Sequence, residues 1–294
     1  MRNFAVYINP GFSDINSIFK LLDKIREEDS ALSGKNSDLR YFGDISQQEI
    51  LSGQVEILDL ITKKVSIPID CILVFGGDGT ILRAKEMAIM TNAPILGINV
   101  GYLGFLSEST LPEISLSIRD LVAGKYKILQ RMLIKCTLKR DGKPILQNNA
   151  LNDAVVYKGE NPSLISAKVF AGGRYVFDAR SDGMIVSTPT GSTAYSLSAG
   201  GPILAPQMKA IVLSPLNPHI LSIRPMVFPA EEKLSLRIHG LSQSAWLQID
   251  GQNVSPIFDQ DEVNITASDE QVKFIKLSKR TFYRILRNKM HLGK

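Results

Sequence analysis

Residues Cys71 to Met87 read CILVFGGDGTILRAKEM. Five apolar residues run unbroken into Gly76-Gly77-Asp78-Gly79-Thr80, and helical spacing resumes after them. A continuous apolar run marks a strand buried on both faces of a parallel sheet. A glycine-rich turn at the carboxyl end of such a strand is where open α/β sheets bind ligands. Its glycines can leave backbone N–H groups bare, and the first turn of the following helix adds to an anion site. Neither common phosphate loop is present: there is no G-x-x-x-x-G-K-[ST], and Gly77-x-Gly79 leads to Leu82 where a dinucleotide fingerprint has its third glycine.

The neighbouring sequence fits a doubly wound, mostly parallel sheet over residues 1–125. FAVYIN reads as a strand, and Asp14 as the N-cap of a helix whose apolar stripe is Ile15, Ile18, Phe19, Leu22 and Ile25. Further helices are expected from Ile45 to Lys63, from near Thr80, and across Leu111 to Leu121, with APILGINV as a strand between the last two. From residue 126 to 270 the texture changes to short strand-like runs, among them LIKCTL, AVVYK, AKVFA, YVFDA, KLSLRI, AWLQI, EVNIT and VKFIKL. Asp141-Gly142 and Gly172-Gly173 are hairpin turns between them, so this region is expected to be a β-rich, mostly antiparallel domain. Residues 271–294 contain RTFYRILRNKM, a helix not assigned to either domain.

The chain has 294 residues, enough for a large core, and 44% hydrophobic with 21% charged residues excludes disordered and fibrous classes. No apolar run reaches the roughly 18 residues of a membrane span. Cys71 and Cys136 sit in apolar runs without metal-ligand spacing, and read as buried thiols of a cytoplasmic protein. The net charge of +5 draws partly on Lys273 to Lys294. Without interleaved aromatic residues this reads as a solvated helix face or a field for anionic small molecules, and no nucleic-acid partner is expected.

Asp78 is the anomaly of the glycine loop, because an ionised carboxylate repels phosphate. It is accounted for if it accepts a proton from an attacking hydroxyl while a divalent cation screens the phosphates. The competing reading is an Asx turn or a helix cap. A second candidate is Asn152-Asp153, whose amide and carboxylate suit an adenine edge, unless they only turn the chain into a strand. The third is ARSDGMIVSTPTGSTAYSLSAGGP, Ala179 to Pro202: a strand, a tight loop, and a short helix ended by Gly200-Gly201-Pro202. Hydroxyls at that helix start and a stacking ring at Tyr195 suit a nucleoside. GSTAY is not a nucleophile elbow, and no histidine is placed to serve a hydrolase; His219 and His239 read as structural.

Together the three stretches resemble the NAD kinase family, which pairs GGDGT with an Asn-acidic dipeptide and with DG…TPTGSTAYxxSAGGP. PHILSIRPMVFP and the DGQ of Asp250 to Gln252 also match family segments, so the resemblance spans about Ile69 to Gln252. It implies an α/β domain joined to a β-rich domain with the site between them. It further implies transfer of the γ-phosphoryl of ATP, or polyphosphate, to the 2′-hydroxyl of the adenosine ribose of NAD. Mg²⁺ or another divalent cation would accompany ATP, and the assembly would be a homodimer or homotetramer. By position, Asp78 would be the catalytic base, and Gly77, Gly79 and Thr80 would contact phosphates. Asn152 and Asp153 would hold the adenine, and Arg180 and Asp182 would lie near the nicotinamide half. Thr190, Ser192, Thr193, Ala194, Tyr195, Ser196, Leu197 and Ser198 would line the nucleoside pocket, with Gln252 closing one side. Arg83, one turn past Thr80, reaches a phosphate or makes a surface salt bridge. No residue is assigned as a metal ligand.

Other glycine-loop kinases, of lipids or sugars, share GGDGT but call for a different partner sequence than TPTGSTAY. A non-catalytic dinucleotide-binding protein would use the same pockets, yet would not need a carboxylate beside phosphates.

Overall fold

The computed structural model describes residues 1–33, 38–62, 67–101, 104–160, 163–241 and 243–291. Backbone contacts divide the chain into two compact units, one of residues 1–130 with 272–294 and one of residues 131–271.

The first unit is built on a parallel sheet in the spatial order Ile95–Asn99, Cys71–Phe75, Asn3–Ile8, Arg40–Asp44, Glu56–Leu58. The chain leaves Asn3–Ile8 toward one edge, then returns to its other side with Cys71–Phe75. The strand order therefore reverses beside the glycine loop, at the switch point where such sheets take ligands. All five residues of Cys71–Phe75 are buried, as their unbroken apolar run requires. Helix Ile15–Ser33 covers the sheet with Ile18, Phe19, Leu22 and Ile25, and Asp14 accepts the Ser17 N–H at its start. Helix Ile114–Val122 adds Ile114, Ile118 and Leu121 to the same core.

The helix expected from Ile45 to Lys63 is largely absent; Lys63 itself lies outside the described residues. A 3₁₀ turn, Ile45–Gln47, and one helical turn, Gln48–Leu51, give way to the strand Glu56–Leu58. The buried carboxylate of Asp44 explains the break: it accepts the N–H of Ser46 and, beyond the strand, that of Leu60 at 2.7 Å. That tie folds the segment back on itself, and tertiary pairing overrides a helical pattern of apolar residues. The last helix, Phe282–Lys289, belongs to this first unit.

The second unit packs two antiparallel sheets face to face. One runs Met226–Pro229, Ala210–Leu216, Gly183–Ser187, Asp153–Tyr157, Ala245–Ile249, Gln252–Ile257. The other contains Arg174–Ser181, Ile165–Ala171, Leu234–His239 and the start of Glu262–Lys276. EVNIT and VKFIKL, expected as two strands, belong to this single strand of 15 residues, apart from Leu277 just past its end. Alternate residues fill the core between the sheets, Ala167 and Val169 from one side against Val156, Met184 and Val186 from the other. Asp141-Gly142 and Gly172-Gly173 have positive φ at both positions, the geometry of tight hairpins. Both cysteines are free and buried, and burial pushes the Cys136 thiol up to about 12 and that of Cys71 up as well. His239 pairs with Asp178 at 2.9 Å, a structural role. No described helix is long and apolar enough to cross a membrane.

Candidate functional site

In the first unit the glycine loop follows Phe75 directly. Gly76 lies just past the strand and donates its N–H to the Ile98 carbonyl at 2.9 Å. A Cβ there would lie 2.3 Å from Oγ1 of Thr80, so this glycine makes room for the threonine folded back on it. Gly77 and Gly79 differ, because a Cβ on either would meet nothing within 4 Å. No packing demands them, which is what a backbone kept bare for a ligand looks like. The helix begins at Asp78, two residues earlier than the sequence suggested, with Gly77 as its N-cap.

The Asp78 carboxylate is held from a second loop. Its two oxygens accept the backbone N–H groups of Phe105 at 2.8 Å and Leu106 at 3.1 Å. A Cβ on Gly104 would sit 1.8 Å from Asp78 Oδ1, so the loop closes over the carboxylate only because residue 104 is glycine. Gly104 in turn donates to Ser107 Oγ at 3.0 Å. Thr80 is buried at 2% exposure, its hydroxyl against Gly76 and 3.4 Å from Arg83 Nη2. Arg83 is exposed and stands beside Tyr7, whose hydroxyl burial pushes up while the guanidinium pulls it down.

In the second unit Asn152 and Asp153 sit at the entrance to strand Asp153–Tyr157, as the sequence implied. Their backbone is fixed by a residue almost 100 positions away. The Asp250 carboxylate accepts the N–H groups of Leu151 at 3.0 Å, Asn152 at 2.7 Å and Asp153 at 3.2 Å. The Asn152 carbonyl accepts the Thr188 N–H at 2.9 Å, and a Cβ on Gly191 would lie 2.1 Å from that carbonyl oxygen. Asn152-Asp153 and the TPTG loop are thereby brought together.

TPTGSTAY forms a 3₁₀ turn, Gly191–Thr193, and one helical turn, Tyr195–Ser198. The hydroxyls of Ser192 and Ser196 do not face a pocket. Both residues are fully buried, Ser192 donating to the Pro189 carbonyl at 2.7 Å and Ser196 meeting Ser214 at 2.9 Å. Thr193 reaches the Thr190 carbonyl at 3.3 Å. Tyr195 is 44% exposed and Ser198 is also exposed, while Ala194 and Leu197 are half-buried. Thr190 Oγ1 is buried and has no hydrogen-bond partner among the described residues. Such an orphan costs about 1–3 kcal/mol, so the position suits a polar ligand atom.

Asp182 bonds Lys158 Nζ and Asn217 Nδ2, both at 2.8 Å, and the Lys158 ammonium foremost holds its carboxyl below the ordinary value. Arg180 and Gln252 are exposed. Among the described residues no three His, Cys, Asp or Glu side chains converge as a metal cluster. Sequence reasoning did not find the roles of Gly104, Phe105, Leu106 and Asp250. A glycine-bearing loop after the parallel strand Ile95–Asn99 was the available signal for the first three. For Asp250 the signals were its Asp-Gly turn and the resemblance of DGQ to a family segment, neither of which shows its reach to Asn152.

The chain matches the family models for the ATP-NAD kinase N-terminal domain over residues 21–126 and the ATP-NAD kinase C-terminal domain over residues 151–277. The NAD kinase of Heliobacterium modesticaldum is 41% identical over 226 residues, covering 77% of this chain and 80% of the relative. Yeast NADH kinase complexed with NADH superposes with a TM-score of 0.84 at 23% identity, over 100% of this chain and 88% of that one, a likeness of fold. The NAD kinase from Archaeoglobus fulgidus in complex with ATP gives a TM-score of 0.68 at 25% identity, over 99% of both chains.

Proposed function

The chain belongs to the NAD kinase family, and from that premise we propose that Asp78 is the base of a phosphoryl transfer from ATP to the 2′-hydroxyl of the adenosine ribose of NAD, giving NADP. The observation that carries the reading is the Asp78 carboxylate held by two backbone N–H groups beside glycines that no packing demands. A carboxylate offers about four acceptor positions, so two remain for the hydroxyl proton once the loop has taken its share. Removing that proton as the oxygen attacks the γ-phosphorus avoids a cationic alcohol in the transition state; the rest of catalysis is placement and charge stabilisation.

In this reading the Gly77 and Gly79 backbone meets the diphosphates, and the exposed Arg83 contributes positive charge to them. Thr80 serves by packing rather than by direct contact. Asn152 and Asp153 hold the adenine, Tyr195 stacks on the nucleoside, and the Thr190 hydroxyl finds its missing partner in the ligand. Ser192 and Ser196 support the loop from inside, while Thr193, Ala194, Leu197 and Ser198 form its outer surface. Arg180 and Asp182 lie toward the nicotinamide half, and Gln252 closes one side.

A divalent cation, Mg²⁺, belongs to the proposal as ATP's companion. The glycine loop offers backbone and a single carboxylate, which fits an ion liganded mainly by phosphate oxygens and water. Bound there, it would neutralise phosphate charge. Asp78 is the residue of this loop able to meet it. We also propose a homodimer or homotetramer in the cytoplasm, supported by the family resemblance.

The test is direct. Purified protein is incubated with NAD, ATP and Mg²⁺, and NADP is read with a coupled NADP-dependent dehydrogenase. NADP should accumulate with ATP consumed one for one; no NADP with ATP or polyphosphate would overturn the reading.

A further inference from the structure

We propose that the segment Lys276–Lys289 is a positioning element for catalysis, acting on Asp78 through the loop Gly104–Glu108. The proposal rests on the reading of Asp78 as the base. Residues 104–108 form no helix or strand, so their place is set by their tethers. On one side Phe105 and Leu106 give their N–H groups to Asp78. On the other, the Glu108 N–H donates to the Gly97 carbonyl at 2.9 Å, and the contacts of the Glu108 carboxylate and carbonyl come from the segment beyond Phe274.

Glu108 is the main tether. It is 8% exposed, and its carboxylate takes Lys276 Nζ at 2.7 Å together with the backbone N–H groups of Leu277 and Ser278. Arg280 Nη2 donates to the Glu108 carbonyl at 2.6 Å. The helix Phe282–Lys289 then brings the Phe282 ring to 6.5 Å from the Phe105 ring, and Lys289 Nζ to 5.0 Å from the same ring. Thr281 starts this helix by accepting the Arg284 N–H.

Phe105 therefore carries both connections. Its amide fixes one carboxylate oxygen of Asp78, and its ring is packed by Phe282 and Lys289. A shift of the ring is a shift of the amide, and the carboxylate follows. This also accounts for part of the basic charge between Lys273 and Lys294. Lys276, Arg280 and Lys289 contact the loop, and Lys273 bonds Asn92 at 2.7 Å. Arg284, Arg287 and Lys289 lie exposed on the helix, the solvated face that was expected.

The variants are Phe282→Ala, Phe282→Leu and Glu108→Gln in the full chain. For each, kcat, KM for NAD, NAD-binding stoichiometry by calorimetry, and hydrogen exchange at the Phe105 and Leu106 amides are measured. Phe282→Ala should lower kcat about tenfold or more, the scale expected when a reacting group is slightly misplaced. KM should stay within about twofold, because ground-state contacts to NAD are untouched. Binding stoichiometry should remain full, exchange at the two amides should quicken, and Phe282→Leu should restore most of the rate. Glu108→Gln should move the same quantities in the same direction if Phe282→Ala does not fold.

A rate loss matched by lost binding stoichiometry would reduce the segment to a stabilising strap and overturn the proposal. So would quickened exchange with an unchanged kcat. In an Asp78→Asn background the Phe282→Ala change should alter the residual rate by less than about twofold, since coupled residues are not additive. Multiplying losses would overturn the segment's action through Asp78 while leaving the base assignment intact. Asp78→Asn alone retaining near-full activity would sink the base assignment, and this proposal with it.

Discussion

Asp250 holds Asn152: one oxygen of its carboxylate accepts the Asn152 N–H at 2.7 Å, while the other takes the N–H of Leu151 at 3.0 Å. The aspartate can do this because Asp250-Gly251 is a two-residue hairpin turn with φ of 48° and 81°, placed beside the entrance to the neighbouring strand Asp153–Tyr157. Asp250→Ala should strand those N–H groups and place alanine in a left-handed conformation, destabilising the fold by about 2–4 kcal/mol. Asp250→Asn, tolerant of that conformation and retaining one acceptor, should lose about 1 kcal/mol. Urea midpoints at constant m-value check both, and KM for NAD should rise in the same order.

Asp78→Asn keeps the size of the side chain and an oxygen for one of the two loop amides, but removes the proton acceptor. We expect kcat to fall about 10²–10⁴-fold. NAD binding by calorimetry should change little. Activity within a few-fold of wild type would return Asp78 to a helix-capping role.

Asn152→Ala tests the adenine contact separately. The turn is held by backbone bonds to Asp250 and Thr188, so the amide side chain is not needed for folding. Removing an interaction made in ground and transition states alike should raise KM for NAD and leave kcat nearly unchanged. A large loss of kcat would contradict the assignment.

The parts of the site legible in the sequence are those whose cause is local. An unbroken apolar run gave a central parallel strand, and glycines that packing does not demand gave the loop after it. Asp141-Gly142 and Gly172-Gly173 gave hairpins, because positive φ at both turn positions has a residue signature. What was not legible depends on partners far along the chain. The carboxylate of Asp44 breaks the helix expected over Ile45 to Lys63, Asp250 fixes Asn152, and Phe105 holds Asp78. Hydroxyls misled because burial decides where they point: Ser192 and Ser196 look like ligand donors in TPTGSTAY, but the Pro189 carbonyl three residues back and the Ser214 hydroxyl of a neighbouring strand turn them inward.

Lys158 and Asp182 supply a pH test. The Lys158 ammonium, then the Asn217 amide, hold the Asp182 carboxyl below its ordinary 3.8. A lowered folded value means the contribution is complete above 3.8 and is lost as pH falls below it. Lys158→Met should therefore be less stable than wild type near neutral pH, by under about 1 kcal/mol for so exposed a pair. Urea midpoints of the two proteins should converge once the pH is below the ordinary carboxylate range. A gap that persists in acid would mean that Lys158 stabilises by packing its stem, not by its charge.

Two glycine-to-alanine changes should separate positioning from folding. At Gly104 the new Cβ meets Asp78 Oδ1 at 1.8 Å and Cγ at 2.5 Å, both side-chain atoms able to swing away. At Gly191 it meets the Asn152 carbonyl oxygen at 2.1 Å, Asn152 C at 2.5 Å and Asn152 Cα at 2.6 Å, all backbone pinned by Asp250 and Thr188. Gly104→Ala should therefore fold within about 2 kcal/mol of wild type, at the mild end of overpacking. It should nonetheless lose most of its kcat, because Asp78 is pushed off the Phe105 and Leu106 amides. Gly191→Ala has no yielding neighbour and should lose about 3 kcal/mol or more, with KM for NAD raised in whatever fraction folds. Thermal or urea unfolding alongside kcat and KM distinguishes the pair. If Gly104→Ala kept full kcat, the grip of the loop on Asp78 would be dispensable for catalysis.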